Sequence, residues 1–416
     1  MALIVDKKEY MWSVWLIAIL LVIAPELFLH NKGEASSSDS QFVMGAGHSD
    51  LLEAAKESLQ AGRSHEALDL ATKALASGTY GLEPMLIRAM AVFQLGNYEQ
   101  AVHDSSQYLT SGGGNTKAYQ IRGNAFGKLG KTREAVEDFS TAIRHQPDNA
   151  LFWASRGSLR VSLRQAEQGL EDLDTAAKLG RRTPGIYFDR GVALRELGRN
   201  EEAYESYTQA VLLKPGYRNA LLERGRILAC LDKDRESVKD YSAILQNDPK
   251  DQEVRLYRAW TYAELGELSA SADDLQWIIN NGEPEIAAYL ELSHVLLRME
   301  KITDAAKANE NALKMIKDGN VRYQILSGYQ RGSLLLVEGK LDEAHRRYEI
   351  MNNKAEKALD VIAVEEAMRK LKSVERLFTG RAKALEQELL SSLEKLHDRI
   401  QNQSKGDVRY CERGYF

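Results

Sequence analysis

Cysteine, proline and histidine are scarce in this chain of 416 residues, and each shortage narrows what the chain can be. The two cysteines, Cys230 and Cys411, lie far apart in the sequence, so we expect no metal-ligand spacing, no disulfide framework and no dependence of stability on bridges. Seven prolines and a hydrophobic share of 44% are typical of a largely helical chain without a long disordered tract. The eight histidines are scattered singly, which gives no reason to expect a bound metal.

An excess of charge of either sign is also missing. The 55 basic and 60 acidic residues leave a net charge of −5, which suits solubility and gives no reason to expect nucleic acid as a partner. No grouping of serine, histidine and aspartate, or of cysteine and histidine, stands out along the chain. We therefore expect no catalytic site, no cofactor and no enzymatic activity.

Long apolar runs are rare, and the clearest one lies at the N-terminus. Residues 11–24 (MWSVWLIAILLVIA) carry no charge, and the apolar character resumes at Leu27 to Leu29. Read as one helix, residues 11–29 approach the ~20 residues that cross a bilayer. A cleaved signal peptide is the alternative, but Pro25 would stand first after a cut at Ala24 and would hinder cleavage. The sequence favours a retained anchor over residues 1–30, followed by a linker over 31–47.

The charges that flank this segment predict its orientation. Lys7 and Lys8 precede it, whereas only Lys32 follows closely. Because basic flanks stay on the cytosolic side, we expect a cytosolic N-terminus and the rest of the chain on the exported side, in an endoplasmic reticulum lumen or a periplasm.

A period of 34 residues dominates the sequence after the linker. Gly62, Gly96 and Gly130 follow each other at this spacing, and the same register continues through Arg164, Gly198, Asp232 and Gly266. Other registers with the same period carry small residues, such as Ala67, Ala101 and Ala135, or Gly123, Gly157, Gly191 and Gly225. Self-similarity at a fixed period of this length indicates an array of helical repeats.

The pattern resembles the tetratricopeptide repeat (TPR), and the clearest copy is residues 116–149. The positions that match the family signature are Tyr119, Gly123, Phe126, Gly130, Ala135, Phe139, Ala142 and Pro147. Small residues let the two helices of a repeat approach closely, glycine allows the turn between them, and proline ends the second helix. The resemblance implies nine repeats over residues 48–358, with boundaries after 81, 115, 149, 183, 217, 251, 285 and 324. The predicted fold is an all-α, right-handed superhelical solenoid.

The last part of the chain, residues 359–403, is predicted to form one or two long helices before a tail over 404–416. Apolar residues recur at three- and four-residue steps, from Met368 to Ile400, with a break at Thr379 and Gly380. Such a stripe can cap the exposed face of the ninth repeat or can form a dimeric coiled coil, and the break favours the cap.

Charged residues keep the same register as the repeats. Arginine precedes the small residue of the first helix in most copies, and an aspartate stands sixteen residues later in five of them. These five pairs are Arg88 with Asp104, Arg122 with Asp138, Arg156 with Asp172, Arg224 with Asp240 and Arg258 with Asp274. The fifth repeat has Arg190 but carries Ser206 at the aspartate position. A fixed partner at a fixed spacing predicts a structural ion pair between the two helices of each repeat.

Residues 125–132 (AFGKLGKT) match a loose form of the phosphate-binding loop. That chemistry needs a glycine-rich loop between a strand and a helix, where backbone amides surround the phosphate. Here the stretch falls on the first helix of the third repeat and its turn. A nucleotide-binding enzyme that uses this loop is therefore the remote alternative.

The resemblance implies that positions 2, 5, 9 and 12 of each first helix line a concave groove. On this chain we select nine candidate protein-binding residues: Phe188, Val192, Arg195, Leu222, Arg226, Leu256, Trp260, Leu290 and His294. So many apolar side chains on a solvent-facing surface favour a binding site for proteins or peptide segments. The alternative is that some of them pack between repeats, or against the C-terminal helix folded back into the groove.

An exported repeat array behind an N-terminal hydrophobic segment is similar in outline to lumenal TPR co-chaperones of the endoplasmic reticulum. Those proteins continue into a J domain with a His-Pro-Asp tripeptide, which this sequence lacks. The resemblance therefore implies a membrane-anchored adaptor that holds other proteins, in chaperone-like holding or complex assembly. The alternative is a stoichiometric subunit of a larger membrane complex, with the C-terminal helix as its docking arm.

Overall fold

The computed structural model describes residues 50–403 apart from 284, 318 and 359, and this part of the chain contains twenty α-helices and no strand. The helices are α1 (Asp50–Gln60), α2 (Ser64–Ser77), α3 (Glu83–Gln94), α4 (Tyr98–Thr110), α5 (Thr116–Lys128), α6 (Thr132–His145), α7 (Ala150–Ser162), α8 (Ala166–Lys178), α9 (Pro184–Glu196), α10 (Asn200–Leu213), α11 (Arg218–Cys230), α12 (Asp234–Asn247), α13 (Gln252–Glu264), α14 (Leu268–Asn281), α15 (Ile286–Arg298), α16 (Ile302–Met315), α17 (Val321–Val337), α18 (Leu341–Ala358), α19 (Val361–Ser373) and α20 (Gly380–Gln403). The predicted all-α array of nine helix pairs, α1–α2 to α17–α18, is confirmed.

The turn inside each helix pair needs a left-handed backbone. Gly96 and Gly130 adopt φ values of 82° and 73° at this point. Arg164 and Asp232, which continue the glycine register, take the same conformation with φ values of 61° and 58°. Packing of the two helices therefore imposes the turn even where a side chain costs about 1–2 kcal/mol in this region.

Close approach of the two helices explains the small residues of the first helix. Gly191 in α9 faces Tyr207 in α10, and a methyl group added at Gly191 would lie 2.5 Å from the tyrosine ring. Tyr207 itself is fully buried. The ring thus fills the space that glycine leaves, and any larger side chain would separate the helices.

The predicted ion pairs between the two helices of a repeat are present in all five pairs that have the aspartate. In each, the arginine donates two hydrogen bonds to the carboxylate, at 2.6–2.9 Å. Asp104, for example, is fully buried and receives both bonds from Arg88. Two-point binding of this kind fixes the distance and the orientation of the paired helices.

The chain divides into two compact units, one ending at Asn219 and the other beginning at Ala220. The first contains the helix pairs from α1 to α10. The second contains α11 from Ala220 onward, the rest of the pairs up to α18, and α19 and α20. The eighth pair ends at Met315, and α17 begins at Val321 as a helix of 17 residues, ahead of the predicted boundary at 325. The extra sequence at this point therefore lengthens the first helix of the ninth pair.

The C-terminal helices cover the ninth helix pair. Arg399 of α20 donates to Glu356 of α18 at 2.9 Å. The apolar stripe of α20 is buried in one cluster with residues of α17, α18 and α19; its members are Leu389, Leu393, Leu396 and Ile400. This stripe therefore caps the ninth helix pair, which was one of the two roles expected from the sequence.

The cysteines depart from the sequence-based expectation. Cys230, the last residue of α11, is disulfide-bonded, so the prediction that cysteines contribute no bridge is wrong. The other cysteine, Cys411, lies outside the described residues.

No helix in the described part of the chain is long and apolar enough to cross a membrane. The predicted anchor, residues 11–29, lies outside the described residues, as do the whole linker (31–47) and the whole tail (404–416). The membrane segment and its orientation stay predictions.

Candidate protein-binding groove

The first helices of successive pairs lie side by side within each unit. In the first unit α7 contacts α9, and in the second unit α13 contacts α15 and α15 contacts α17. Side chains at the same repeat position on successive first helices therefore lie on one shared face. We call this surface the first-helix face of each unit.

In the first unit, the candidates on α9 divide between the core and the surface. The ring of Phe188 lies 5.9 Å from that of Tyr207 and 5.4 Å from that of Tyr217, centre to centre, and Phe188 is buried. Val192 is also buried, whereas Arg195 is half-buried. Phe188 and Val192 therefore pack between helices, which was the alternative to a solvent-facing position in the groove.

A buried carboxyl group lies beside these residues, and the sequence analysis missed it. The hydroxyl of Ser158 in α7 donates to Asp189 in α9. Burial raises the pKa of Asp189 to about 6, although the hydrogen bond from Ser158 lowers it in part. Burial and the nearby Asp189 also raise the pKa of the Tyr217 hydroxyl. A single aspartate within an apolar run gives no sequence signal of such a site.

In the second unit, two candidates meet around a tyrosine. Arg226 of α11 stands over the ring of Tyr257 in α13, with its guanidinium carbon 5.4 Å from the ring centre. Trp260 packs edge-on against the same ring, 5.4 Å between centres and at 78°. All three side chains are half-buried, so part of each faces solvent. We call Arg226, Tyr257 and Trp260 the aromatic patch.

The apolar candidates next to the aromatic patch are not exposed. Leu222 and Leu256 are both buried, and Leu256 belongs to the core cluster against which Trp260 packs. These leucines position the helices that carry the patch. Tyr257 was not among the predicted residues, because it stands one position after a groove position in the repeat.

The candidates on α15 are covered by α19. Leu290 lines a small cavity together with Ala367 and Lys370 of α19. His294 is buried, and the hydroxyl of Ser373 lies 3.1 Å from its Nε2 atom. The alternative that the C-terminal helix folds back onto these positions therefore holds for Leu290 and His294.

Ion pairs fasten α19 to α15. The Nζ atom of Lys370 lies 2.9 Å from a carboxylate oxygen of Glu291 and 2.9 Å from one of Glu366. Burial opposes ionisation of Glu291, but the charge of Lys370, its hydrogen bond and the other positive charges nearby together lower the pKa of Glu291 to about 2. Burial and the same lysine lower the pKa of His294 to about 3, so this imidazole is neutral. The lysine therefore stays charged between two carboxylates.

Of the nine candidate residues, six are buried and three, Arg195, Arg226 and Trp260, are half-buried. Arg226 and Trp260 come together, whereas the α9 and α15 candidates occupy separate environments. A binding role for any of them stays a prediction. Because the other candidates are mostly buried, the aromatic patch is the part of the predicted groove that a partner can reach most easily.

The stretch that matches a phosphate-binding loop does not have the geometry of one. Residues up to Lys128 belong to α5, Gly130 forms the left-handed turn, and Thr132 begins α6. Backbone amides within α5 are used by the helix, so they cannot surround a phosphate. In the described residues, no group of three or more histidine, cysteine, aspartate or glutamate side chains could hold a metal ion.

Family models of the tetratricopeptide repeat match residues 122–185 and 184–217. The chain carries tetratricopeptide repeats. No curated protein matches its sequence significantly.

Several solved structures resemble parts of the chain. One is the C-terminal part of a TPR repeat-containing protein from Cytophaga hutchinsonii, with 17% identity and a TM-score of 0.49, over 58% of this chain and 99% of that one. Another is YrrB, described as a TPR protein with an unusual peptide-binding site, with 16% identity and a TM-score of 0.42, over 48% of this chain and all of that one. A third is PilF from Pseudomonas aeruginosa, with 19% identity and a TM-score of 0.42, over 50% and 95% of the two chains.

Proposed function

We propose that this chain is a membrane-tethered adaptor that holds segments of other proteins on the first-helix face of its second unit. The TPR fold suggests a scaffold for interactions between proteins. The observation that carries the proposal is the aromatic patch, where Arg226, Tyr257 and Trp260 keep part of their surface open to solvent on that face.

The composition of the patch suits binding energetics. Tryptophan, tyrosine and arginine dominate the energy of interfaces between proteins, because each buries a large rigid surface and keeps a polar group that can pair. Arg226 also donates to Glu223 at 3.1 Å, which holds its guanidinium over the ring of Tyr257. A partner side chain that docks on Trp260 therefore meets a preorganised surface.

The tether in this proposal is the apolar segment of residues 11–29. Residues 11–24 carry no charge, the apolar character resumes at Leu27, and the whole segment approaches the length that crosses a bilayer. The basic residues Lys7 and Lys8 before it favour a cytosolic N-terminus. The repeats would then hold their partners on the exported side, close to the membrane surface.

Crosslinking from the patch tests the proposal. A photoreactive phenylalanine analogue replaces Tyr257 in the full-length chain within its native cells, and in a matched variant it replaces Trp277 in the second helix of the same pair. We expect a defined crosslinked partner from position 257 and not from 277. Identical crosslinks from both positions, or none from 257, would contradict the proposal.

A further inference from the structure

The short helix α19 lies on the first-helix face of the second unit, where it adds polar contacts to an apolar cluster. Arg369 pairs with Glu264 at the end of α13. Lys370 pairs with Glu291 in the middle of α15 at 2.9 Å. One turn further on, Ser373 reaches His294 of α15. One helix of this chain therefore contacts two successive first helices, in the manner in which a peptide ligand lies across a groove.

The helix α19 makes both apolar and polar contacts. Its apolar side chains, including Ala363, Val364 and Leu371, belong to a cluster with residues of α15, α17, α18 and α20. Two of its basic side chains, Arg369 and Lys370, meet acidic residues of α13 and α15. The face that receives α19 thus recognises a basic, amphipathic helix by charge complementarity.

We propose that α19 is an intramolecular ligand of this face, and that Glu264 and Glu291 select a basic amphipathic helix of a partner protein that displaces it. This inference rests on the proposed function and adds the chemical class of the partner. It also makes α19 an inhibitory element, because its residence hides Leu290 and His294 from any partner.

The ion pairs make α19 both specific and displaceable. A tethered helix competes at a high effective concentration, so a free helix binds the resting chain weakly. Removing Lys370 leaves the buried Glu291 and the half-buried Glu366 without this cation, which weakens the closed arrangement far more than the loss of an exposed pair would. An incoming helix that supplies a lysine at the same place restores the pairing.

A peptide with the sequence of residues 361–373 provides a direct probe. Its binding to the full-length chain is followed by fluorescence anisotropy, with wild type, the Arg369→Ala, Lys370→Ala double variant, and a Lys372→Ala variant as the control. Lys372 serves as the control because it lies on α19 but is exposed, and its nearest acidic partner is the exposed Glu394 of α20, at 3.6 Å. We expect the double variant to bind the peptide at least tenfold more tightly than wild type or the control. Equal binding by all three chains, or binding by none, would overturn the proposal.

The charge requirement is tested with a second peptide, in which alanine replaces both the arginine and the lysine. On the double variant, this peptide should bind at least tenfold more weakly than the native one. Equal affinity of the two peptides would show that Glu264 and Glu291 do not select the ligand, and would overturn the inference.

Hydrogen exchange on the unaltered chain covers the case in which the double variant fails to fold. Displacement requires α19 to open while α17 stays folded, so amides of α19 should exchange at least tenfold faster than those of α17. Simultaneous exchange of both helices would make α19 a fixed cap. A chain that crosslinks from position 257 while α19 never opens would keep the proposed function and lose this inference.

Discussion

Arg190 donates from Nε to Asp174 of the preceding helix pair, at 2.7 Å, whereas its Nη1 donates to Ser206 of its own pair. In the five Arg–Asp pairs the acid lies sixteen residues after the arginine, and in three of them a serine of the preceding pair, such as Ser140, accepts a further hydrogen bond. In the fifth pair the acid and the hydroxyl have exchanged places. The arginine keeps one acidic and one hydroxyl partner, so the electrostatic requirement is conserved although the helix that meets it changes.

The exchange of Asp174 and Ser206 predicts a rescue. Asp174→Ser alone should leave Arg190 without a carboxylate and lower the free energy of unfolding by about 1–3 kcal/mol, because Arg190 is only partly buried. Adding Ser206→Asp should restore most of that loss, since it rebuilds the pairing of the other repeats. Denaturant unfolding of the single and double variants measures both changes. A double variant no more stable than the single one would show that the two positions are not equivalent.

Asp189 predicts a dependence of stability on pH. Its pKa of about 6 in the folded chain lies above the value of about 4 expected in the unfolded chain, so the folded state binds the proton more tightly. The stabilising effect of that proton is complete below pH ~4 and is lost as the pH rises through ~6.

Asp189→Asn should therefore be more stable than wild type at pH 7, by about 1–3 kcal/mol, and should match it at pH 4. Unfolding by denaturant at pH 4, 5, 6 and 7 gives the comparison. Replacement of the exposed Asp148 by asparagine serves as the control. A constant difference between Asp189→Asn and wild type across this range would contradict the assignment.

The predicted topology has its own test. In sealed vesicles of native orientation, the repeats should resist added protease until detergent opens the membrane, because Lys7 and Lys8 favour a cytosolic N-terminus. Immunoblotting of the repeat region before and after detergent reads the result. Digestion of the repeats in intact vesicles would place them in the cytosol.

Periodic features were predictable from the sequence, and non-periodic ones were not. A residue that repeats every 34 positions has the same neighbours in each repeat. The structure predicted for one repeat therefore applies to the others, as the Arg–Asp pairs and the left-handed turn at Arg164 show. The contact between Glu291 and Lys370 spans 79 residues and occurs once, and nothing in the local pattern predicts it. The same reason left Asp189 unrecognised.

Position in a repeat also proved insufficient to predict exposure. Phe188 and Trp260 both occupy predicted groove positions, but Phe188 is buried between two tyrosines, whereas Trp260 is only half-buried beside one. The difference depends on which side chains the neighbouring helices supply. The sequence therefore predicts which helices form the first-helix face, but it does not predict which side chains on that face remain accessible to solvent.

The most direct test compares Trp260→Ala with Trp277→Ala for binding of the partner captured at position 257. Both tryptophans are half-buried, pack against the same core cluster and belong to the same helix pair, so both replacements should cost similar stability. We predict that only Trp260→Ala weakens partner binding, by more than about 2 kcal/mol, or roughly thirtyfold. If Trp260→Ala lowers the melting temperature and still binds the partner as wild type does, Trp260 is a core residue and the groove assignment is wrong.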